Sequence, residues 1–580
     1  MDKINLLHNT PLRAWSNTHA APSSKHLCHT QSSILTARCT IITLILLLTC
    51  TMPAQLRAQR KAQRIFLNHA DALFADESMR PGLQVAKGSV HFTHRGATLK
   101  CDSAHFWERQ NAFNAYGHVR FRQGDTISLT AQRVAYDGQQ EMIRARGNVV
   151  LKHRKTTLYA DSLDFDRRNN IGYYFEGGRL VDQQTQLVSD WGEYHTDTRL
   201  ARFFYGVTLK KDNDYIETDS LLYDTSSGTA NVVGRSVIYT DRRTITTQNG
   251  YYDTHAERTE LYSRSTVEDD DMTITADTLF NEKSTGLYEA KGRVEYYGKK
   301  NKNELQAGYC RYDSKLGTAF ATQRPVAKEY SQGDTLWLHA DTLRMKTFYI
   351  NTDSMYREVY VYHHARTYRN DVQAVADSIS YNTRDSLLTL LRDPIVWSDN
   401  RQIVGEQIEV FLADSTIRRV NVNQQAMSIE QMTDGEHYNQ LSAKVIHAFF
   451  DEKGNMRRTD AIGNVKTIYY PQDEKDSTII ALNYLEGDTM RMYIDTLRQL
   501  DKIWVRKPVG TAYPLTQTPS DKTQLPGFAW FDYIRPRNPE DIFEWRTKNT
   551  EQQLKPQERF TPTQQTLETE VPDTPTTILQ

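Results

Sequence analysis

Leu158-Tyr159-Ala160-Asp161-Ser162-Leu163-Asp164-Phe165 is the stretch that decides the fold. Leu158 and Ala160 lie on one face of an extended chain, and so do Leu163 and Phe165. The two pairs have opposite parity. Side chains of a strand alternate with period two, so an apolar register that flips at Asp161-Ser162 predicts a bulge or corner there. At such a corner a strand passes from one sheet into a facing one. The same flip separates Ile216 and Thr218 from Leu221 and Tyr223, and Ile274 and Ala276 from Leu279. Asp and Ser or Thr suit the bend because their side chains cap free backbone N–H groups.

The motif recurs along the chain. Strong copies are Thr218-Asp219-Ser220-Leu221, Ala276-Asp277-Thr278-Leu279, Ala340-Asp341-Thr342-Leu343 and Ala376-Asp377-Ser378-Ile379. With the weaker copies their centres fall at 102, 132, 161, 190, 219, 248, 277, 308, 341 and 377, so the step is 29 or 30 before it lengthens. A second motif runs in phase: Gly88-Ser89-Val90, Gly117-His118-Val119, Gly147-Asn148-Val149 and Gly292-Arg293-Val294. A fixed period of this size marks a repeat architecture. The fold class expected is all-β, an elongated repeat jellyroll of antiparallel strands in units of about 29 residues.

Composition agrees. The 580 residues include 32 Tyr and carry a net charge of -1, with 38% hydrophobic and 25% charged residues. Near-neutrality argues against a nucleic-acid binder. Only Pro325, Pro394 and Pro471 fall between residues 82 and 507, as a paired sheet requires. The apolar run Ile41–Leu48, with cations before it and Ala58 after it, reads as a secretion signal over 1–58. Cys50 offers a lipid anchor as the alternative. The repeats are expected over 65–400, with a second, less regular module over 401–510. A capping or docking segment follows over 511–544, and the Pro-, Thr- and Gln-rich residues 545–580 read as a disordered tail. Cys101 and Cys310 lie about seven repeats apart and are expected to be unpaired thiols.

Signals for enzyme chemistry are weak. Gly292–Lys300 misses the spacing and the Ser or Thr of a phosphate loop. Glu268-Asp269-Asp270-Asp271 reads as a solvated turn, and His363 and His364, being adjacent on a strand, face opposite ways. No serine-nucleophile elbow, zinc spacing or dinucleotide fingerprint is found. The expectation is a non-enzyme with no cofactor and no metal.

The repeated units resemble the OstA-like family, the periplasmic bridge of lipopolysaccharide transport. Ala145-Arg146-Gly147-Asn148-Val149 and Ala461-Ile462-Gly463-Asn464-Val465 are similar to a segment recurrent in that family. The resemblance covers about residues 65–510. It implies a V-shaped antiparallel jellyroll whose apolar interior shields the acyl chains of lipopolysaccharide. It further implies a periplasmic location, with attachment to the outer membrane as an option, and partners among the other lipopolysaccharide-transport proteins. Exposed sheet edges would carry those contacts, and head-to-tail self-association too. The inward positions are Val90, Phe92, Val119, Phe121, Val149, Leu151, Leu163, Phe165, Leu209, Leu221, Tyr223, Leu279, Val294 and Tyr296. From the residues alone they form either a groove or a dry core; the resemblance implies the groove. The rival readings are a β-solenoid that binds or cleaves surface polysaccharide, and a structural spacer with a sealed core.

Overall fold

Gly117 and Asp102 show why the two repeated motifs keep in phase. Gly117 has a φ of +74°, and a Cβ built on it would stand 2.3 Å from Oδ2 of Asp102 on the neighbouring strand. The same contact joins Gly88 to Asp71, Gly234 to Asp219 and Gly292 to Asp277. The residue after the glycine is left-handed as well: His118, Asn148, Arg293 and Asn464 all have positive φ. Two consecutive left-handed residues displace the register, and the pairing slips between Tyr116 and Val119, Arg146 and Val149, Lys291 and Val294, and Ile462 and Val465. Each slip is the corner at which the strand bends.

The computed structural model describes residues 64–548 apart from 76–80, 241, 331–332, 414–415, 474–477 and 497–499. The signal expected over 1–58 and nearly all of the tail expected over 545–580 lie outside the described residues. Within them the regular elements are strands, followed by four short 3-10 turns after residue 514. All the pairings are antiparallel. Because almost every strand or strand pair bends at a corner, the pairings form two facing leaves. The first leaf holds segments such as Ala112–Tyr116, Ser162–Asp166 and Thr416–Asn423. The second holds their continuations, such as Val119–Gln123, Thr156–Ala160 and Ala426–Gln431. The leaves meet at the corners and their hairpin turns form two free lips. Along the first lip, Asp137, Asp166, Asp224, Asp253 and Asp313 each accept backbone N–H groups two and three residues on, the Asx-turn role of aspartate.

Pairing passes residue 400 without a break: Leu387–Leu391 pairs with Gln407–Ala413, and Arg401–Val404 with Thr416–Gln431. The segment expected to cap or dock begins inside the last strand, Val509–Pro514, whose Tyr513 packs against the cluster that the rest of the segment forms. From Thr523 to Trp545 it runs back across the outer face of the second leaf. There Leu525, Ala529, Phe531 and Ile534 pack on Ile395, Trp397, Val404, Met427, Ile429, Ile468 and Leu482. Three buried glutamines hold it, two by its backbone and one by a side chain. Gln440 donates to the Thr523 carbonyl and accepts from the Leu525 N–H. Gln402 does the same for Ala529 and Phe531. Gln373 accepts from Arg535.

Candidate functional site

The space between the leaves changes character along the chain. From Val90 to Leu261 it is filled. Phe92 stacks on Phe113 with ring centroids 4.3 Å apart and lies 5.4 Å from Phe106. The void beside Phe92, Leu99, Phe113 and Phe121 measures about 10 Å³, room for no more than one water.

The mouth of this first stretch is also bridged from lip to lip. The Tyr136 hydroxyl stands 2.6 Å from Nδ1 of His94, and the Tyr194 hydroxyl 2.8 Å from Nδ1 of His153. Tyr223 donates to Asp182 at 3.3 Å and Tyr252 to Asp214 at 2.5 Å. Arg167 adds bonds to the Tyr136 hydroxyl and to Oε1 of Gln123, and Arg95 pairs with Glu141. Burial pushes the Tyr223 phenol up to about 12 and raises those of Tyr136, Tyr194 and Tyr252. It lowers His153. These tyrosines therefore stay protonated, and Tyr223 and Tyr252 donate to their carboxylates.

Tyr136, Phe165, Tyr194, Tyr223 and Tyr252 are spaced at 29 residues, and the next position is Asn281. Its buried Oδ1 has no hydrogen-bond partner. Among the described residues no further tyrosine bridge spans the mouth beyond Tyr252.

Past this point the interior is less filled. Ile274, Leu279 and Cys310 are only partly buried around a small cluster of Ala276, Ala290 and Val294. Further on, alanines such as Ala340, Ala365, Ala374, Ala376, Ala426, Ala443 and Ala461 alternate at the buried inward positions with larger residues such as Leu343, Val361, Ile379, Leu390, Ile408 and Ile446, and no aromatic ring is among them. Other apolar residues beside them are only partly buried on both leaves, among them Leu338, Val396 and Ile403 on the second, and Leu388, Val410, Val420, Met492 and Ile503 on the first. Small side chains on a bent sheet leave room between the leaves. The result is an apolar trough from about residue 272 to 505.

The inward positions named from sequence divide between these stretches. Val90, Phe92, Val119, Phe121, Val149, Leu151, Leu163, Phe165, Leu209, Leu221 and Tyr223 are buried in the filled stretch. Val294 is buried at the start of the trough, where Leu279 and Tyr296 are half-buried. Sequence reasoning missed the bridging tyrosines at 136, 194 and 252, although they share the 29-residue register of Phe165 and Tyr223. It also missed the trough beyond residue 300, where the lengthening step hid the register.

Other features settle simply. Cys101 and Cys310 are free thiols, and burial pushes both up to about 12. His363 and His364 do not alternate on a strand; both are left-handed corner residues, bonded to Asp377 and Asp341 respectively. No group of three or more metal-ligating side chains comes together among the described residues.

Residues 62–219 match the family model of OstA-like protein, so the chain is OstA-like over that stretch. Among solved structures it is similar to LptH, described as the LptA homologous periplasmic component of the conserved lipopolysaccharide transport device from Pseudomonas aeruginosa. Identity is 16%, over 18% of this chain and 81% of that one, with a TM-score of 0.18. No curated protein matches the chain. The family match ends within the filled, bridged stretch; the trough lies beyond it.

Proposed function

We propose that this OstA-like protein is a periplasmic bridge that shields the acyl chains of lipopolysaccharide on the way to the outer membrane, and that the shielding is done by the trough. The observation that carries this reading is the contrast between the two stretches: an interior closed by packed aromatic rings before residue 261, and one without buried aromatic rings, lined by Ala, Val, Leu and Ile and only partly buried, after 272. Half-exposed apolar side chains on facing sheets are costly in water. Each methylene of a guest chain buried against them contributes about 0.8 kcal/mol. In this reading the N-terminal stretch is a rigid, dry strut, and Leu279, Val294 and Tyr296 begin the lining. The other named inward residues hold the strut together. Partners would be other lipopolysaccharide-transport proteins and copies of this chain, joined through the edge strands Leu500–Arg506 and Val509–Pro514.

In-cell photocrosslinking tests the reading. A crosslinker at Leu388 or Val410, inside the trough, should capture lipopolysaccharide, and one at Ser380, on the outer face of the same leaf, should not. Capture at Tyr223 instead would place the lipid in the strut and refute the assignment to the trough. No capture at any position from a secreted, folded protein would favour the sealed spacer.

A further inference from the structure

The outer face of the first leaf, behind the trough, carries an ordered row of side chains. Phe411, Arg419, Phe449, Arg458, Tyr493 and Lys502 are directly cross-strand neighbours, one on each of six adjacent strands. Aromatic and cation alternate without a break. Each cation lies over the ring on the strand before it: Arg419 at 4.1 Å from the Phe411 centroid, Arg458 at 4.2 Å from Phe449, and Lys502 at 4.8 Å from Tyr493. Cations on alternate strands stand about 9.6 Å apart, twice the strand spacing.

The row is short of anions. A second row beside it holds Glu409, Asn421, His447, Asp460, Arg491 and Trp504, in the same strand order. Glu409 is engaged by Asn421 and Gln407. Asp460 alone serves two guanidinium groups, Arg458 at 3.1 Å and Arg491 at 3.9 Å. The Arg419 guanidinium has no hydrogen bond or ion pair with any described residue, and its Nε is buried without a partner. Four cations thus face two carboxylates. A ring beneath a guanidinium holds it flat and leaves its N–H edge free for an oxyanion. The row also sits close to the free lip. Val410, Val420, Met492 and Ile503 of the trough are chain neighbours of Phe411, Arg419, Tyr493 and Lys502, pointing through the leaf the other way.

We propose that this row binds phosphate groups of a phosphorylated saccharide, the headgroup of an amphiphile whose acyl chains occupy the trough on the other side of the lip. The choice rests on charge complementarity and on the function proposed above. Planar guanidinium groups suit phosphate oxygens, and a headgroup attached to chains in the trough emerges beside this lip.

The test uses the full chain and three probes: lipopolysaccharide, the same lipid with its phosphates removed, and a water-soluble glucosamine disaccharide bisphosphate without acyl chains. The variant carries Arg419→Gln, Arg458→Gln and Lys502→Gln. Wild type should bind both phosphorylated probes at least about tenfold more tightly than the variant does, while the dephosphorylated lipid binds the two proteins alike. Arg419→Lys with Arg458→Lys should keep part of the difference. If the triple variant melts early, Arg419→Gln alone should show a smaller loss of the same kind, since that side chain makes no hydrogen bond or ion pair with another described residue. Equal binding of the disaccharide by wild type and variant, or none by wild type, overturns the proposal even if lipid crosslinks at Leu388. Disaccharide binding that depends on the row, without lipid capture at Leu388, keeps the row and overturns the trough. Polyglutamate binding through the row in preference to the disaccharide would assign it to an acidic protein partner and overturn the proposal.

Discussion

The hydroxyl of Tyr194 and Nδ1 of His153 meet 2.8 Å apart across the mouth of the jellyroll, from residues on opposite leaves. Burial lowers the imidazole from its ordinary 6.5, and the nearby Arg154 and Arg199 lower it further. In the unfolded chain His153 takes up a proton as pH falls through about 6.5; in the folded protein it does so only at lower pH. Over that window the unfolded state binds more protons, so this group's contribution to stability falls as the solution is acidified. Chemical denaturation should show that wild type loses more stability between about pH 7.5 and about pH 5.5 than His153→Gln does. Parallel profiles would mean that His153 titrates alike in both states.

The bridge from Tyr252 to Asp214 tests the mouth from its last rung. The bond is short, and the carboxylate loses its partner when the hydroxyl is removed. Tyr252→Phe should cost about 1.5–3 kcal/mol, the range for a hydrogen bond to a charged group. The loss should appear as faster hydrogen exchange at Thr244–Asp253 and Asp214–Asp224 rather than in the strands near Phe92. Tyr205→Phe, at an exposed ring, should change nothing measurable. A uniform rise in exchange would show that the mouth opens only by global unfolding.

Much of this organisation can be read in the sequence because it is geometric. The parity flip at Asp161-Ser162 requires a corner, and the phase of Gly117 with Asp102 follows from their contact. The period brought Leu163, Phe165 and Tyr223 to one interior. Filled and open interiors were not distinguishable that way, because an inward Phe92 and an inward Ala374 obey the same alternation. What separates them is side-chain volume summed over both leaves, and that needs the pairing between distant strands. The path of Leu525–Ile534 was equally hidden. Its anchors are Gln373, Gln402 and Gln440, polar residues that alternation places on an outer face and that only tertiary contact buries.

The corner glycines make a sharper test than the interior. Gly117→Ala adds a Cβ where Asp102 already stands and forces alanine into a left-handed conformation. The conformation alone costs about 1–2 kcal/mol, and the overlap adds to it. Removing the obstacle with Asp102→Ala should recover the overlap portion and leave the conformational one. In a double-mutant cycle by urea denaturation the two changes should therefore couple. Gly96→Ala is the control: it shares the positive φ but has open space around it, so it should show the smaller loss alone. Equal losses at both glycines would mean that the Asp102 contact imposes nothing.

The C-terminal segment should come away when its polar anchor is cut. Gln402 is fully buried on the outer face of the second leaf, and its one side chain serves both the Ala529 carbonyl and the Phe531 N–H. Gln402→Ala leaves two buried backbone groups without partners, each costing about 1–3 kcal/mol. Phe531→Ala acts on the same segment by emptying an apolar site, for about 3–5 kcal/mol. Released, the segment bares Trp397, Ile395, Val404 and Ile429, which it now covers. Limited proteolysis should then cut Gln402→Ala and Phe531→Ala between residues 520 and 545, while the strands up to Arg506 stay intact. Wild type should resist there. Each variant should also bind an environment-sensitive apolar dye that wild type does not. Cleavage spread through the strands would instead make the segment a condition for folding the second leaf, because its apolar outer face cannot stay dry uncovered.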